Sequence, residues 1–253
     1  MKKNYLLGIR IDNIFEKGID FHLEKFFNSE KFNMITPVNP EMLIIARKNL
    51  KFKNILNKSE LNTCDAAGIS LAFKLKFKHI EKYPGSSMIF DILNFAEKNN
   101  QKVFFLGTKP ELNKKARENV KKKYPELRIE GYSPPPYINY PGHKFPQKEE
   151  DKIFQELKES KPDILCVFWG APFQETWFSD NREKLTKLGI KIGISLGGTG
   201  DFLSGCIKRA PSIYRKLNLE WLYRLTTEQK RFKRFLTRIP FFVILAIEEA
   251  IFK

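Results

Sequence analysis

An acidic residue at the start of an apolar segment is the first candidate for chemistry. Asp65 follows Cys64 in "ELNTCDAAGISLAFKL", where most of its near neighbours are small or aliphatic. One interpretation is that its carboxylate caps the helix predicted for "AAGISLAFKL". The other is that it is a reactive group held in a cleft. The local pattern leaves both interpretations open.

Two glycine turns are candidates for binding an anion. "FFLGTKPELNKKA" places Gly107 and Thr108 between a strand and a helix, and "SLGGTGDFLSG" does the same with Gly198 and Asp201. The free N–H groups at a helix N-terminus favour a phosphate or another anion. Neither turn is a Walker loop or a G-x-G-x-x-G motif. A plain strand-to-helix turn, with Asp201 as the N-cap, is the alternative.

The segment "WGAPFQETWF" is a more specific candidate. Gly170 and the proline after it shape a turn, and Gln174 and Glu175 follow where a helix should begin. A glutamine amide can bind a sugar or base hydroxyl through both its oxygen and its nitrogen. For Glu175 the competing interpretation is an acidic residue that stabilises the helix dipole.

Short apolar runs that alternate with amphipathic segments predict the elements that must position these residues. "FNMITPVN", "KVFFLGT", "RIEGY", "PDILCVFWGAP" and "KIGISLGG" each read as a strand before a helix or turn, and "YLLGIRI" reads as a single first strand. This alternation indicates an α/β fold with a mostly parallel sheet and flanking helices. Such sheets bind ligands beyond the carboxyl ends of their strands. The residues expected there are Thr36, Asn39, Gly107, Thr108, Gly170, Gln174 and residues 197–201.

Composition restricts the partners. The 253 residues carry a formal net charge of +16, which favours nucleic acid, an acidic membrane surface or phosphorylated substrates. The three cysteines are far apart and the three histidines are scattered, so we expect a reducing cytosol and no metal site. The N-terminus reads as a strand and not as a signal peptide, and no run approaches the ~20 apolar residues that a membrane span needs.

The C-terminal segment differs from the rest in charge. Residues 206–253 contain 11 Lys and Arg against 4 Glu, so we divide the chain into a core, 1–205, and a basic helical appendage, 206–253. One helix is predicted from about Leu219 to Arg238, ended by Pro240. Arginines beside an aromatic stripe, before an apolar terminus, are typical of a helix lying on a membrane. A solvated helix face and a nucleic-acid arm are the alternatives; the second lacks any recognised fold signature.

Several segments together resemble a bacterial glycosyltransferase family named for the WecG, TagA and CpsF proteins. They occur in family order over nearly the whole chain. The two most specific are the G-A-P-x-Q-E block and the R-A-P block near the C-terminus. The segments are "TPVNPEMLIIARKN", "CDAAGISLA", "FFLGTKPELNKKA", "PDILCVFWGAPFQETW", "GGTGDFLSG" and "KRAPSIYRKLNLEWLYRL".

The resemblance implies an activity and a location. Enzymes of this family transfer a sugar, often N-acetylmannosamine, from a UDP-sugar to undecaprenyl diphosphate carrying N-acetylglucosamine, for teichoic acid and other surface polysaccharides. The implied fold is Rossmann-like, and the transfer inverts the anomeric centre without a metal or cofactor. We therefore expect a cytoplasmic protein held peripherally on the inner face of the cell membrane. Whether it forms a homo-oligomer stays open.

The resemblance also implies roles for particular residues. Asp65 matches the general base, Asn39 matches a donor-site residue, and Gln174 matches an active-site glutamine. The appendage would supply arginines to the substrate, for which Arg215, Arg224 and Arg231 are the candidates.

The chain departs from the family pattern at four places. The family's T-x-N is "TPVN", D-G-x-G is "DAAG", R-V-x-G-x-D is "KYPGSS", and Phe173 replaces the lysine of G-A-P-K-Q-E. These changes leave the expected reaction class unchanged, but they weaken any inference about which sugar is bound.

Two other functions remain to be distinguished from sugar transfer. A nicotinamide-dependent α/β enzyme is disfavoured because no G-x-G-x-x-G follows an early strand. A non-enzymatic protein that binds nucleic acid would explain the charge alone.

Overall fold

One six-stranded parallel sheet organises the chain. The computed structural model describes residues 3–136, 144–207 and 229–252, together with Pro211, Tyr214 and Tyr223. In this part the strands are β1 (Asn4–Leu6), β2 (Ile9–Ile11), β3 (Asn33–Val38), β4 (Leu61–Cys64), β5 (Lys102–Leu106), β6 (Arg128–Tyr132), β7 (Ile164–Val167) and β8 (Ile192–Ser195). The strand order of the six-stranded sheet is β4-β3-β8-β7-β5-β6, and all its neighbouring strands are parallel. The predicted parallel α/β fold is confirmed.

Helices connect the strands, and their starts follow local chemistry. The helices are α1 (Gly18–Phe27), α2 (Pro40–Lys48), α3 (Leu50–Lys58), α4 (Ala67–Leu75), α5 (Gly85–Lys98), α6 (Pro110–Lys123), α7 (Gln147–Ser160), α8 (Phe173–Asp180), α9 (Arg182–Lys187), α10 (Thr199–Leu203) and α11 (Gln229–Phe252). Asn39 and Asn49 each accept a hydrogen bond from the backbone N–H three residues on, which caps α2 and α3. Pro40 and Pro110 occupy the first positions of α2 and α6, where a missing N–H costs nothing.

Alternate strand residues enter two different cores, which shows that both faces of the sheet are covered. Val103 and Phe105 of β5 pack with residues of α1, α5 and α6. Phe104 and Leu106 of the same strand pack with residues of α7, α8 and α9. Because a strand points successive side chains to opposite faces, these two clusters lie on opposite sides of the sheet. All residues of β3, β4, β7 and β8 are buried, as expected for parallel strands covered on both faces.

The single strand predicted for "YLLGIRI" is wrong, because the segment folds into a hairpin. β1 and β2 pair antiparallel, and Leu6 lies opposite Ile9. Leu7 and Gly8 between them have φ values of 51° and 75°, the left-handed backbone that a two-residue hairpin turn of type I′ requires.

Pro240 does not end the C-terminal helix, so that prediction is also wrong. α11 runs through Pro240 to Phe252, while residues 219–228 lie outside the described part of the chain. The residues after the proline bury one face against α2 and α4: Phe242, Leu245 and Ala246 join the core cluster that contains Val38 and Phe73. This burial offsets the ~3 kcal/mol that an internal proline costs a helix.

Among the helices described, none has both the length and the hydropathy needed to cross a bilayer.

Candidate active site

Five of the predicted site residues lie along one edge of the sheet, where the parallel strands end. Asp65 follows β4, Asn39 follows β3, Gly198 follows β8, Gly170 follows β7 and Gly107 follows β5. β5 leads to β6 in one direction across the sheet, whereas β7 leads to β8 in the other. Ligand crevices of α/β proteins form at such reversals of strand order. The glycine turns after β5 and β7 flank this reversal.

Asp65 is held at the end of β4 by two contacts from different segments. Its backbone N–H donates to the Val38 carbonyl at 2.9 Å, which extends the pairing of β3 with β4. Its Oδ1 accepts the N–H of Gly85, the first residue of α5, at 2.8 Å. Negative charge is stabilised at a helix N-terminus, so this contact favours a carboxylate at the half-buried Asp65.

Asp65 does not cap the helix that follows it. Ala66 occupies the N-cap position of α4, and no side chain accepts a hydrogen bond there. The interpretation of Asp65 as the cap of that helix is therefore wrong. Gly85, twenty residues on, is the contact that sequence reasoning missed; its only signal was a Pro-Gly pair before an apolar helix.

The two residues from "TPVN" take different places. Asn39 is half-buried above β3, and its Oδ1 accepts the Met42 N–H at 3.1 Å as the cap of α2. Thr36 is fully buried, and its hydroxyl lies 3.1 Å from the Ser59 hydroxyl in the core. Thr36 thus supports β3 from beneath the crevice, and a direct contact of Thr36 with a substrate stays a prediction.

A hydrogen bond joins the turns after β5 and β8. The Thr108 hydroxyl donates to Asp201 Oδ1 at 3.2 Å. Gly198, and not Asp201, is the N-cap of α10, so the interpretation of Asp201 as a cap is wrong. Gly107 has a φ of 102°, and a Cβ there would lie 2.6 Å from the Trp169 indole nitrogen. Both the backbone and the neighbouring ring therefore require glycine at Gly107.

Gln174 joins the turns after β7 and β8. Its side-chain oxygen accepts the N–H of Gly170 at 3.0 Å and the N–H of Gly197 at 3.1 Å. Its side-chain nitrogen donates to Glu175 Oε1 at 2.8 Å. Both side chains are buried, so this part of the crevice floor is a polar cluster under the backbone of two turns.

Glu175 is a fully buried acid with a raised pKa. Burial raises its pKa to about 7, although the Gln174 amide, its own backbone N–H and the Ser195 hydroxyl favour the charged form. Within the described residues, Glu175 Oε2 and the Ser195 hydroxyl have no partner in hydrogen-bonding geometry. The acid is therefore poised between the protonated and the charged form near neutral pH.

An aromatic cluster beside the reversal of strand order was not predicted. The ring centroids of Trp169, Phe173 and Phe145 lie 5.0–5.4 Å apart in pairs. Phe173 is the residue that replaces the lysine of the family's G-A-P-K-Q-E. The cluster makes the β7 side of the crevice apolar, where a lysine would have made it cationic.

The arginines expected from the appendage are not placed by the structure. Arg215 and Arg224 lie outside the described residues, and the side chain of Arg231 in α11 does too. Among the described residues, no group of three or more His, Cys, Asp or Glu is arranged to hold a metal ion.

Comparisons with known proteins identify the family of the chain. A family model described as "Glycosyl transferase WecG/TagA/CpsF family" matches residues 4–253. Two similar proteins from Staphylococcus aureus are both named N-acetylglucosaminyldiphosphoundecaprenol N-acetyl-beta-D-mannosaminyltransferase. The protein of strain MRSA252 is 28% identical and that of strain NCTC 8325 / PS 47 is 29% identical over 241 residues, or 94% of this chain and 89% of each relative. Because the family model matches almost every residue, the chain belongs to the WecG/TagA/CpsF family of glycosyl transferases.

Proposed function

We propose that the chain transfers N-acetylmannosamine, or a related hexose derivative, from a UDP-sugar to an undecaprenyl-diphosphate-linked acceptor for cell-surface polysaccharide. The names of the staphylococcal relatives support the sugar and the lipid-linked N-acetylglucosamine acceptor. The observation that carries the proposal is the Asp65 carboxylate, held by the first N–H of α5 at the edge of the sheet where the parallel strands end.

Asp65 acts as the general base of an inverting transfer. The acceptor hydroxyl oxygen attacks the anomeric carbon from the face opposite UDP, and its proton passes to the Asp65 carboxylate. The bond from that carbon to the phosphate oxygen breaks, and its electron pair leaves with UDP. Because Gly85 holds Oδ1, the orientation of the carboxyl group is set before substrate arrives.

The departing UDP needs positive charge or N–H dipoles at its phosphates. The turns at Gly107, Gly170 and Gly198 bring backbone close to the crevice, and Thr108 and Asp201 hold two of these turns together. Arg215, Arg224 and Arg231 are the proposed cations, since guanidinium groups bind phosphate oxygens through paired hydrogen bonds. If these arginines reach the site only at the membrane, the UDP-sugar is protected from hydrolysis elsewhere.

The described end of the appendage offers a surface for lipid. In α11 the residues opposite the buried face are apolar and exposed, and at ~100° per residue they span roughly a third of the helix circumference. We name them the outer apolar face: Val243, Ile244, Ile247 and Ile251. A surface helix that is apolar on both faces needs a second apolar environment, and an acyl-chain boundary supplies it.

α4, which packs beside α11, adds exposed apolar side chains to that surface. Leu71 and Leu75 lie one turn apart on α4 and are at least half exposed, and Phe77 just beyond the helix is fully exposed. Lys74 lies between Leu71 and Leu75 in the sequence and is exposed, whereas Lys76 is paired with Glu249. An exposed lysine among apolar side chains suits an anionic lipid surface, where each basic residue contributes ~1 kcal/mol.

A transfer assay tests the enzymatic proposal. Purified protein is incubated with a short-chain lipid diphosphate carrying N-acetylglucosamine and with UDP-N-acetylmannosamine, UDP-N-acetylglucosamine or UDP-glucose in parallel. We expect a disaccharide-lipid and free UDP with the first donor, and product with inverted configuration at the anomeric carbon. Release of UDP without acceptor consumption, or no turnover with any donor, would contradict the proposal.

Vesicle sedimentation tests the membrane surface. The double variant Ile247→Ser/Ile251→Ser should pellet less with vesicles containing anionic lipid than the parent does. Leu50→Ser on α3 removes an equally exposed leucine outside this surface and should pellet like the parent. Equal sedimentation of all three proteins would remove the outer apolar face from the proposal.

A further inference from the structure

Gln174 and Glu175 form a buried pair in the first turn of α8. Gln174 is 4% exposed and Glu175 is fully buried. The pair lies under the turns after β7 and β8, which are neighbouring strands. Buried polar side chains cost free energy unless they are hydrogen-bonded, so the pattern of their bonds indicates what they hold in place.

The direction of the Gln174 amide is set by its three partners. The backbone N–H groups of Gly170 and Gly197 both point at its oxygen, at 3.0 and 3.1 Å. With the amide turned over, its NH₂ group would face two other donors and these bonds would be lost. Glu175 Oε1 accepts from the amide nitrogen at 2.8 Å and so favours the orientation that joins the turns.

The two turns that Gln174 joins each contain a glycine, whose backbone is restrained by the hydrogen bond to the Gln174 side chain. Gly170 and Gly197 have φ values of 92° and 50°, in the region that glycine adopts readily. A Cβ built on Gly197 would lie 3.7 Å from the Gly170 Cα, so the turns approach each other closely. Glycine has many accessible conformations, and a bond to each N–H restricts them.

We propose that Glu175 is a positioning residue: through the Gln174 amide it fixes the turns at Gly170 and Gly197 in the conformation that receives the donor. The role of these turns at the donor rests on the proposed function, whereas the role of Glu175 in fixing them rests on the four hydrogen-bonding groups alone. The Ser195 hydroxyl, buried without a partner within the described residues, lies beside the same carboxyl group.

Three full-length variants separate hydrogen-bond direction from charge and from volume. Glu175→Leu fills the space but offers no acceptor to Gln174. Glu175→Gln keeps an acceptor oxygen for the Gln174 amide and directs its NH₂ group toward Ser195. The exchange variant, Gln174→Glu/Glu175→Gln, keeps every donor opposite an acceptor, because a carboxylate at 174 accepts from both glycines and from the new amide at 175.

The first readout is amide hydrogen exchange at Gly170 and Gly197 in the unliganded protein, resolved by NMR. Exchange should be about tenfold faster in Glu175→Leu, which corresponds to the loss of roughly one buried hydrogen bond. In Glu175→Gln and in the exchange variant it should stay within about threefold of the parent. Glu149→Leu is the matched control, since Glu149 also lies in the first turn of a helix but on α7. It should leave both amides unchanged.

The second readout compares the change in KM for the UDP-sugar with the change in kcat. For Glu175→Leu we expect KM to rise about tenfold while kcat stays within about threefold, and Glu175→Gln should restore KM. If the leucine variant does not fold, Glu175→Asp replaces it: it keeps the charge, withdraws the carboxylate by one methylene, and should raise exchange and KM in the same direction.

Parent-like exchange in Glu175→Leu, or in Glu175→Asp when that variant replaces it, would overturn the proposal. So would an equal loss in Glu175→Gln, which would assign the effect to charge. If the parent turns over no UDP-sugar, the proposed function fails, and exchange at the two glycines alone still decides whether Glu175 fixes the turns.

Discussion

Replacing Asp65 by Asn and by Ala separates a base from a structural tether. The Asn variant keeps a side-chain oxygen where Oδ1 accepts the Gly85 N–H at 2.8 Å, so folding should change little. It loses only the charge at the start of α5, an interaction of about 0.3–1 kcal/mol. The Ala variant leaves the Gly85 N–H without this acceptor, which costs about 1–3 kcal/mol in the free energy of unfolding.

Turnover should fall in both variants and by a similar factor. General base catalysis contributes ~10²–10⁴-fold, which equals roughly 3–5 kcal/mol of the activation barrier. We expect Asp65→Asn to lose turnover by that factor while it binds UDP like the parent in a calorimetric titration. Unfolding in urea, followed by fluorescence, should show a clearly lower midpoint for Asp65→Ala only. Asp91→Asn is the matched control, because Asp91 on α5 is also an aspartate that accepts a hydrogen bond, from Tyr83, but lies on an exposed surface.

One pattern of turnover and stability in the two variants would contradict a role for Asp65 as the base. If Asp65→Asn retains near-parent turnover and Asp65→Ala loses activity in proportion to its stability, the carboxyl group is only an acceptor for Gly85. The crevice would then need a different base, and the proposed mechanism would be wrong even if sugar transfer occurs.

Three further predictions test the rest of the structure. Phe242→Ala should lower the free energy of unfolding in urea by about 3–5 kcal/mol, because Phe242 is 2% exposed. Ile244→Ala changes a residue that is 62% exposed, so its free energy of unfolding should stay within about 0.5 kcal/mol of the parent's. Equal effects would place α11 outside the core. Burial raises the Glu175 pKa from 4.5 to about 7, so the folded state binds more protons than the unfolded state between these values. The free energy of unfolding in urea should therefore fall between pH 5 and 7 by on the order of 3 kcal/mol. This pH dependence should disappear in Glu175→Gln. Gly107→Ala should destabilise more than Gly189→Ala, since both have positive φ but only a Cβ at the first would meet a ring; equal urea midpoints would contradict this.

The sequence was sufficient to place the edge on which the site lies. Apolar runs ended by glycine or asparagine located the carboxyl ends of β3, β5, β7 and β8. Because parallel strands all end at one edge, Asn39, Gly107, Gly170 and Gly198 come together without any further information. These features are local patterns combined with one rule of topology.

The direction of each side chain was not predictable, because it depends on distant contacts. Asp65 is oriented by Gly85, Thr36 by Ser59 and Gln174 by Gly197, and each pair is 20 or 23 residues apart. The glutamine amide predicted to bind substrate through both ends uses its oxygen on two backbone groups of the protein.

β4 was missed because its hydropathy is interrupted. Asn62 is fully buried within this strand, and its side-chain nitrogen donates to the backbone carbonyls of Arg10 and Leu56. A buried polar residue that donates to backbone carbonyls of β2 and α3 has no signature in a hydropathy pattern. The hairpin at Leu7 and Gly8 was missed for a related reason, since one glycine in an apolar run is compatible with a strand or a turn.

The docking of α11 links the proposed membrane surface to the base. The Phe242 ring packs against Gly68: a Cβ built on Gly68 would lie 3.4 Å from the Cε1 atom of the ring. Gly68 is three residues from Asp65 along the chain. At the other end of α4, Lys76 binds Glu249 at 2.7 Å, and the Leu7 N–H also donates to Glu249. α4 is thus held against α11 near both its ends, and the two helices run in the same direction. A bilayer that meets the outer apolar face and the exposed side chains of α4 would therefore lie against both helices. Because α4 begins next to Asp65, this placement supports the proposal that an acceptor diphosphate at the headgroup level reaches Asp65 without leaving the membrane.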